Sequence, residues 1–278
     1  MVGVKAEREH KTHMTDARQL LQRQDGALLV LTLNAIATRN ALSEAMIAAL
    51  HGAIEQAAAD KSVAAVVLEA NGTAFSAGHD LKELTARRRD TDGGRAYFTD
   101  IMKACAAMMQ AVVRCPKPVI AAVEGVATAA GCQLVASCDL AIAGERARFA
   151  TPGVNIGLFC STPMVALSRN VSSKHAMEML LLGDMVDAQG AARIGLVNKV
   201  VAAGTATPEA LAWAGVIAAK SPLTVAIGKE AFYRQLELSL PDAYALTAEV
   251  MVRNMMARDA EEGIGAFIEK RKPEWTGC

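Results

Sequence analysis

The amino-acid sequence predicts an α/β fold that ends in a helical region. Apolar, strand-like runs alternate with helical patterns over the first half of the chain, whereas the pattern beyond Pro163 is mainly helical. The 278 residues are 52% hydrophobic but only 4% aromatic. Small aliphatic side chains must therefore fill most of the core, which suits helices that pack closely against a sheet.

Four apolar segments in the first half are expected to be buried strands, because they are short and rich in β-branched residues. They are residues 28–33, 63–69, 119–124 and 139–143. Helical patterns lie between or after them, at residues 43–59, 97–114 and 127–137, and the first begins with the capping residue Ser43. Further helices are expected at residues 166–169, 174–182 and 188–194, a strand at 197–201, and three closing helices that start near Pro208, Pro222 and Pro241.

These patterns divide the chain into three parts. Residues 1–17 are predicted to form a flexible polar tail, residues 18–205 the α/β core, and residues 206–278 the helical region. The tail lacks the apolar segment of a secretory signal. His10 and His13 lie in this tail and are expected to be solvated rather than to bind a metal, and no other metal site is predicted.

Charge and cysteine content narrow the possible partners and location. The chain has 29 basic and 29 acidic residues, so its formal net charge is zero. No overall basic field would attract nucleic acid or a membrane surface. The six cysteines form no CxxC pair, which favours free thiols in a reducing compartment. We therefore expect a cytoplasmic protein that binds neither nucleic acid nor membrane.

Two loops carry the residues most suited to chemistry. Residues 75–82 (FSAGHDLK) follow one strand, residues 125–133 (GVATAAGCQ) follow another, and each loop opens a helix. The first amide groups of a helix have no partner within the helix, so two such ends that face each other can stabilise an oxyanion. Close packing is an alternative reason for the small residues of these loops.

Several motifs, in order along residues 28–275, resemble the crotonase (enoyl-CoA hydratase/isomerase) family. They are LN with RNAL in residues 33–42, FSAGHDLKEL in 75–84, KPVIAAVEGVATAAGCQLVASCDLAIA in 117–143, AQGAARIGLVNKVV in 188–201 and GIGAFIEKRKP in 263–273. The proline usual in the first motif is absent, since Ala35 and Ala37 stand there. Residues 149–163 (FATPGVNIGLFCSTP) resemble one subgroup of the family in particular.

The resemblance implies a crotonase-type spiral of ββα units, with a helical C-terminal trimerisation region. The assembly would be a homotrimer, often paired into a hexamer. Coenzyme A would enter as part of an acyl-CoA or enoyl-CoA thioester, and no cofactor would be bound permanently. The thioester oxygen would lie between the backbone N–H groups of His79 and Ala130. The residues expected to contact the coenzyme are Arg39, Ala77, His79, Asp80, Leu81 and Lys82, together with Phe267 and Lys270, which would reach over the adenine of a neighbouring subunit.

The family's two catalytic glutamates are missing. The first should follow Cys132, where this chain has Gln133, and the second should follow Pro152, where it has Gly153. A glutamine amide does not exchange a proton near neutral pH, and each general acid or base contributes roughly 10²–10⁴-fold to a rate. Efficient hydration is therefore not expected. Substitute groups nearby are Asn155, Cys160, Ser161 and Thr162, whereas Asp139 is expected to lie too far back; a packing role is favoured for Cys160.

Three interpretations remain. The first is that the chain is an enzyme that acts on acyl-CoA but catalyses a reaction other than hydration, such as that of a C–C lyase, a decarboxylase or a thioester hydrolase. The SAGHD sequence of residues 76–80 also resembles the loop of methylmalonyl-CoA decarboxylase, a relative of the crotonases. Alternatively, it is a true hydratase that uses substitute groups, or an acyl-CoA-binding protein without catalysis.

Overall fold

The computed structural model describes residues 18–278, so the predicted tail with His10 and His13 lies outside the described residues. Over these residues the fold is α/β, as predicted. The strands are β1 (Leu20–Asp25), β2 (Leu28–Leu33), β3 (Ala65–Ala70), β4 (Ala74–Ser76), β5 (Val119–Val123), β6 (Val126–Thr128), β7 (Leu140–Gly144), β8 (Arg148–Ala150), β9 (Val186–Asp187) and β10 (Lys199–Val201).

The described helices form two groups along the chain. Those of the core are α1 (Glu44–Ala59), α2 (Leu81–Arg87), α3 (Arg95–Arg114), α4 (Ala130–Ser137), α5 (Pro163–Asn170), α6 (Ser173–Leu182) and α7 (Ala188–Arg193). Those that follow β10 are α8 (Ala206–Ala218), α9 (Pro222–Gln235), α10 (Leu240–Met255) and α11 (Arg258–Glu269). Two short 3-10 segments, Ile36–Thr38 and Pro152–Ile156, lie in loops.

Successive pairs of strands build two sheets. The larger sheet has the order β1-β2-β3-β5-β7-β10, and the smaller has the order β4-β6-β8-β9. Strands β3, β5 and β7 join the larger sheet, and the strand after each, β4, β6 or β8, joins the smaller one. In the larger sheet β3 pairs in parallel with β5 and β5 with β7, and in the smaller sheet β4 pairs in parallel with β6 and β6 with β8. The pairs β1 with β2 and β8 with β9 are antiparallel. This repetition gives the expected spiral of ββα units.

Aliphatic side chains cover both faces of the larger sheet. On one face, α8 places Ala206, Ala210 and Ala214 against strand residues such as Val30 and Val67, and all five are fully buried. The spacing of four residues puts the three alanines on one side of the helix. On the other face lies the larger cluster, to which α1, α3 and α4 contribute. Alanine, valine, leucine, isoleucine and methionine make up most of both clusters, as expected from the low aromatic content.

The structure corrects three expectations about the elements. Strand β1 was not predicted, because its residues after Leu20 are mostly exposed and show no apolar alternation. The helix expected at 127–137 begins only at Ala130, because Val126–Thr128 pair with β8 as strand β6. Four helices follow β10 instead of three. Ala257 is extended and separates α10 from α11, although neither glycine nor proline marks this break.

None of the described helices is by itself long and apolar enough to cross a membrane. Helices α8 and α9 reach the necessary length and apolar composition only when they are taken together, and this pair is bent by 108°.

Candidate active site

The loop between β4 and α2 is fastened to residues 39–42. The amide of Ala77 donates to the carbonyl of Arg39 at 3.0 Å, and the amide of Leu42 donates to the carbonyl of Gly78 at 2.8 Å. Gly78 has a φ of +84°, a conformation that glycine adopts without strain. The Asp80 carboxylate then accepts from the amides of Lys82 and Glu83, which caps α2 and fixes the loop.

The loop between β6 and α4 turns at an unusual residue. Ala129 has φ 50° and ψ −118°, although alanine strongly prefers a negative φ. Its amide donates to the carbonyl of Ala150 at 2.9 Å, which holds this turn beside the end of β8. Every residue of α4 from Ala130 to Ser137 is buried. The helix therefore starts inside the protein, at the junction of the two loops.

The two loops lie against each other with no space for an added side chain. A Cβ placed on Gly78 would lie 2.9 Å from the Cβ of Ala129 and 3.2 Å from the amide nitrogen of Ala130. A Cβ on Gly131 would collide with the carbonyl oxygen of Ser76. The backbones of His79 and Ala130 are thus neighbours. Among the described residues, neither amide has a hydrogen-bond acceptor, so both are available to a ligand oxygen.

At position 133, beside this junction, the chain has the buried amide side chain of Gln133. Gln133 lies in the first turn of α4, where its amide nitrogen donates to the Ala129 carbonyl at 3.0 Å. Only 5% of its surface is exposed. The side chain also lines a large cavity, described below, so the position expected for the first catalytic glutamate faces space that a ligand can enter.

Position 153 is closed by its own loop. Gly153 is buried in the 3-10 segment Pro152–Ile156. A Cβ added there would lie 2.8 Å from the carbonyl oxygen of Leu158 and 2.9 Å from the Sγ atom of Cys160. The place where a glutamate side chain would begin is therefore filled by the backbone of Leu158 and the thiol of Cys160.

The substitute groups named from the sequence differ in burial. Cys160 is buried, and burial raises the pKa of its thiol. Burial likewise raises the pKa of the Cys132 thiol to about 12. These thiols are protonated near neutral pH, which makes them poor nucleophiles and favours packing. Asn155 and Ser161 are exposed, and Thr162 is half-buried on the cavity wall.

Asp139 belongs to a separate cluster that joins α9 to the larger sheet. Its carboxylate accepts from the Lys229 ammonium at 2.6 Å, from the Tyr233 hydroxyl at 2.9 Å and from the Val119 amide at 2.7 Å. Because all three donors hold the Asp139 carboxylate in a fixed position, the cluster has a structural role and fastens α9 to the larger sheet. Sequence patterns did not reveal Lys229 or Tyr233, since each alone resembles an ordinary helix residue.

Four buried side-chain atoms have no hydrogen-bond partner among the described residues. They are Oδ1 of Asn40, Nε2 of His79, Oε1 of Gln133 and Oγ1 of Thr151. Burial is the cause that lowers the pKa of His79 below its usual 6.5, so its ring is neutral at pH 7. Thr151 was not singled out from the sequence, because a threonine after a strand carries no signal of its own. Only the folded chain brings Ala129 close to it, since the Ala129 amide donates to the carbonyl of the preceding residue, Ala150.

A cavity of about 1410 Å³ extends from Gln133 between helices α3, α4, α5 and α9. Its lining is mainly apolar and includes Met109, Ala136, Val165 and Ile227. The volume is ample for an acyl chain. Among the described residues, no group of three or more His, Cys, Asp or Glu side chains could hold a metal ion.

Most of the residues expected to contact the coenzyme are exposed, whereas His79 and Asp80 are half-buried. Arg39, Ala77, Leu81 and Lys82 are exposed, beside the first loop. Phe267 and Lys270 lie at the end of α11, and 85% of the Phe267 surface is exposed. Phe267 therefore contacts almost nothing in its own chain. Whether these side chains meet the coenzyme of a neighbouring subunit stays a prediction.

Comparisons with known proteins give one consistent answer. Residues 23–278 match the model of the enoyl-CoA hydratase/isomerase family. A crystal structure of an enoyl-CoA hydratase from Mycobacterium smegmatis is 52% identical, covers 93% of this chain and 99% of its own, and superposes with a TM-score of 0.88. The human mitochondrial enoyl-CoA hydratase domain-containing protein 3 is 46% identical over 97% of this chain and 86% of its own. The 2,3-dehydroadipyl-CoA hydratase of Escherichia coli is 34% identical over 93% of this chain and 99% of its own.

Proposed function

Because the chain belongs to the enoyl-CoA hydratase/isomerase family, we propose that it binds an acyl-CoA thioester and stabilises the enolate of that thioester. The thioester oxygen would accept hydrogen bonds from the backbone N–H groups of His79 and Ala130. The observation that carries this proposal is the close contact of Gly78 with Ala129 and Ala130. This contact supports a single position at which one oxygen atom can accept hydrogen bonds from both amides.

Such a pair of donors acts where negative charge develops. Fixed backbone dipoles need no reorganisation during the reaction, and losing one donor of this kind costs about 3 kcal/mol in other enzymes. The start of α4 is wholly buried, so water does not weaken its contribution. The apolar cavity beside Gln133 would take the acyl chain, while the exposed surface around Arg39 and Lys82 would take the coenzyme phosphates.

We propose further that hydration of an enoyl-CoA is slow. Gln133 does not transfer protons, and Gly153 has no side chain. The buried thiol of Cys160 beside Gly153 is not an effective base, because its pKa is raised. A second candidate function, efficient hydration by substitute groups, is favoured by the name of the Escherichia coli relative. Loss of the absorbance of crotonyl-CoA at a rate normal for enzymes would establish that second candidate.

The test of the oxyanion proposal uses two glycines with similar backbone angles. Gly78 has φ +84° and abuts Ala130, whereas Gly72 has φ +90° and abuts only the flexible Ile36 side chain. Gly78→Ala should separate the two loops and weaken binding of butyryl-CoA about tenfold or more, measured by calorimetry. Gly72→Ala carries the same backbone strain and should leave the affinity unchanged. Equal affinity in both folded variants would refute the proposal.

The assembly and location are also proposals. We propose a homotrimer or a hexamer, supported by large apolar side chains that α10 and α11 leave exposed, such as Tyr244, Val252 and Ile268. A cytoplasmic location was expected from the composition and stays a prediction, while the human relative is named mitochondrial.

A further inference from the structure

Helix α11 buries little apolar surface against its own chain. It has 12 residues, of which only Asp259 and Ala266 are buried. Its large apolar side chains, Ile264, Phe267 and Ile268, are exposed. Packing of an apolar face is the usual source of helical stability in proteins, and here it contributes little. Other contacts must therefore fix the direction in which α11 points.

Residues 271–278, called the strap below, run back along α11 and supply such contacts. The Arg271 guanidinium donates to both carboxylate oxygens of Glu262, at 2.6 and 2.8 Å. The indole N–H of Trp275 donates to the carbonyl of Ala219 at 2.9 Å, at the corner between α8 and α9. The strap is thus bound to α11 on one side and to the α8–α9 corner on the other.

Asp259 is the residue at which the strap, α11 and the start of α9 meet. Only 2% of its surface is exposed. Its Oδ1 atom accepts from the amide and the hydroxyl of Thr276, at 2.8 and 2.9 Å. Its Oδ2 atom accepts from the Gly277 amide at 3.0 Å and from the hydroxyl of Ser221, which caps α9, at 2.6 Å. Hydrogen bonds to a carboxylate are stronger than those between neutral groups, so this cluster fixes α11 relative to α9.

The far end of α11 presents an aromatic ring and an ammonium group to the outside. Phe267 is exposed, and Lys270 ends the helix with a φ of 56°. The Arg271 amide donates to the Ala266 carbonyl at 3.0 Å, so the chain passes from the helix directly into the strap. An aromatic ring can stack on a nucleobase, and a lysine can pair with a phosphate. Both side chains suit the adenosine end of coenzyme A.

Building on the function proposed above, we infer that Asp259 and Trp275 are positioning residues for coenzyme binding. Through them the strap holds α11 so that Phe267 and Lys270 meet the adenosine end of the coenzyme in a neighbouring subunit. Among the described residues, the strap hydrogen-bonds to α11 and to the α8–α9 corner, and not to the two loops proposed to hold the thioester. The strap should therefore affect the grip on adenosine and leave the grip on the thioester unchanged.

The test compares butyryl-CoA with S-butyryl-pantetheine, which carries the same thioester but lacks adenosine and its phosphates. Calorimetry measures the first affinity, and a ligand-observed NMR titration, which follows weak binding, measures the second. Asp259→Asn keeps the shape of the side chain but replaces one acceptor oxygen by an N–H donor. It should weaken binding of butyryl-CoA about tenfold, the order expected when one stacked base loses its aromatic partner. Binding of S-butyryl-pantetheine should not change.

A second variant leaves the buried carboxylate in place. Trp275→Leu removes the indole N–H that reaches Ala219 and should cause the same selective loss, so it serves if Asp259→Asn does not fold. Phe267→Ala tests the route of the effect and should also weaken only butyryl-CoA. Asp259→Asn combined with Phe267→Ala should lose little more than either change alone, because both remove the same contact.

Asp242→Asn is the matched control. Asp242 lies in the first turn of α10 as Asp259 does in α11, but it is exposed. Among the described residues it accepts a hydrogen bond only from the Ser239 hydroxyl, so this variant should keep both affinities. A selective loss of butyryl-CoA binding in Asp242→Asn equal to that in Asp259→Asn would overturn the inference.

Unchanged binding of butyryl-CoA by folded Asp259→Asn and Trp275→Leu would also overturn the inference and leave the proposed function intact. The same holds if both ligands weaken equally, which is the result of a general structural role, or if the losses in the double variant add up in full. If the unmodified protein binds neither thioester, the proposed function is refuted, and the inference with it.

Discussion

Replacing Gly153 with alanine adds one carbon atom where the chain has no room for it. The added Cβ would lie 2.8 Å from the Leu158 carbonyl oxygen, 2.9 Å from the Cys160 Sγ atom and 3.3 Å from the Cys160 amide nitrogen. Two of these three atoms belong to the backbone, so they cannot move aside by a change of rotamer. Overpacking of this kind costs typically 1–3 kcal/mol. With about 2 kcal/mol, the melting temperature should fall by about 4–8 °C.

The same crowding limits attempts to restore hydration. Gln133→Glu alone should recover little rate, because acid and base groups act together. Gln133→Glu combined with Gly153→Glu should also recover little, since the second carboxylate cannot enter without displacing Leu158. Adding Cys160→Ala to this double variant removes the contact with the sulfur atom, but the Leu158 carbonyl oxygen still blocks the side chain at position 153. The assay is the loss of crotonyl-CoA absorbance, measured together with thermal unfolding of each variant.

Gly52→Ala provides the control for adding a methyl group to a glycine. A Cβ at Gly52 meets nothing within 4 Å, and the residue lies within α1. This variant should be about 1 kcal/mol more stable, because alanine favours a helix. The lack of room for a side chain at position 153 is refuted if Gly153→Ala melts at the same temperature as the unmodified protein. It is also refuted if the double glutamate variant keeps that temperature and hydrates crotonyl-CoA at an ordinary rate.

Three further outcomes are expected. Ala129→Gly should raise the stability by about 1 kcal/mol in thermal unfolding, because glycine accepts the φ of 50° that strains alanine; a lower melting temperature would contradict this. The free energy of unfolding should decrease as the pH falls below 6.5, because burial lowers the pKa of His79 and the unfolded chain then binds more protons; His79→Gln should flatten this dependence, and an unchanged slope would exclude His79 as its source. Light scattering should give at least three times the chain mass of 29.2 kDa at micromolar concentration, and a monomer would disprove the proposed assembly.

Elements long enough to show a period were predictable from the sequence. The strand Leu28–Leu33 and the helix Glu44–Ala59 lie where their patterns place them, because each has a continuous buried face. Strands β6, β8 and β9 have two or three residues each, which is too short for any period to be visible. They exist because the ββα unit provides neighbours to pair with. Local patterns therefore predict most of the larger sheet, apart from the largely exposed strand β1, but little of the smaller one.

Some features of the candidate site were likewise predictable from the sequence, and others were not. The two loops were found from their small residues and from the family resemblance, whereas the unpartnered hydroxyl of Thr151 was not found. A single threonine becomes significant only when tertiary packing buries it and denies it a partner. The closed position of Gly153 was also invisible, since the obstacle is formed by Leu158 and Cys160 in the folded loop.

Backbone donors and side-chain acids differ in how readily substitution removes them. The amides of His79 and Ala130 persist whatever side chains stand there, provided that the close contact at Gly78 is kept. A catalytic glutamate is lost by one substitution, and the loop around Gly153 has no room for its return. Under the proposed function, a family member of this kind would keep the means to hold a thioester enolate while its acid and base groups change.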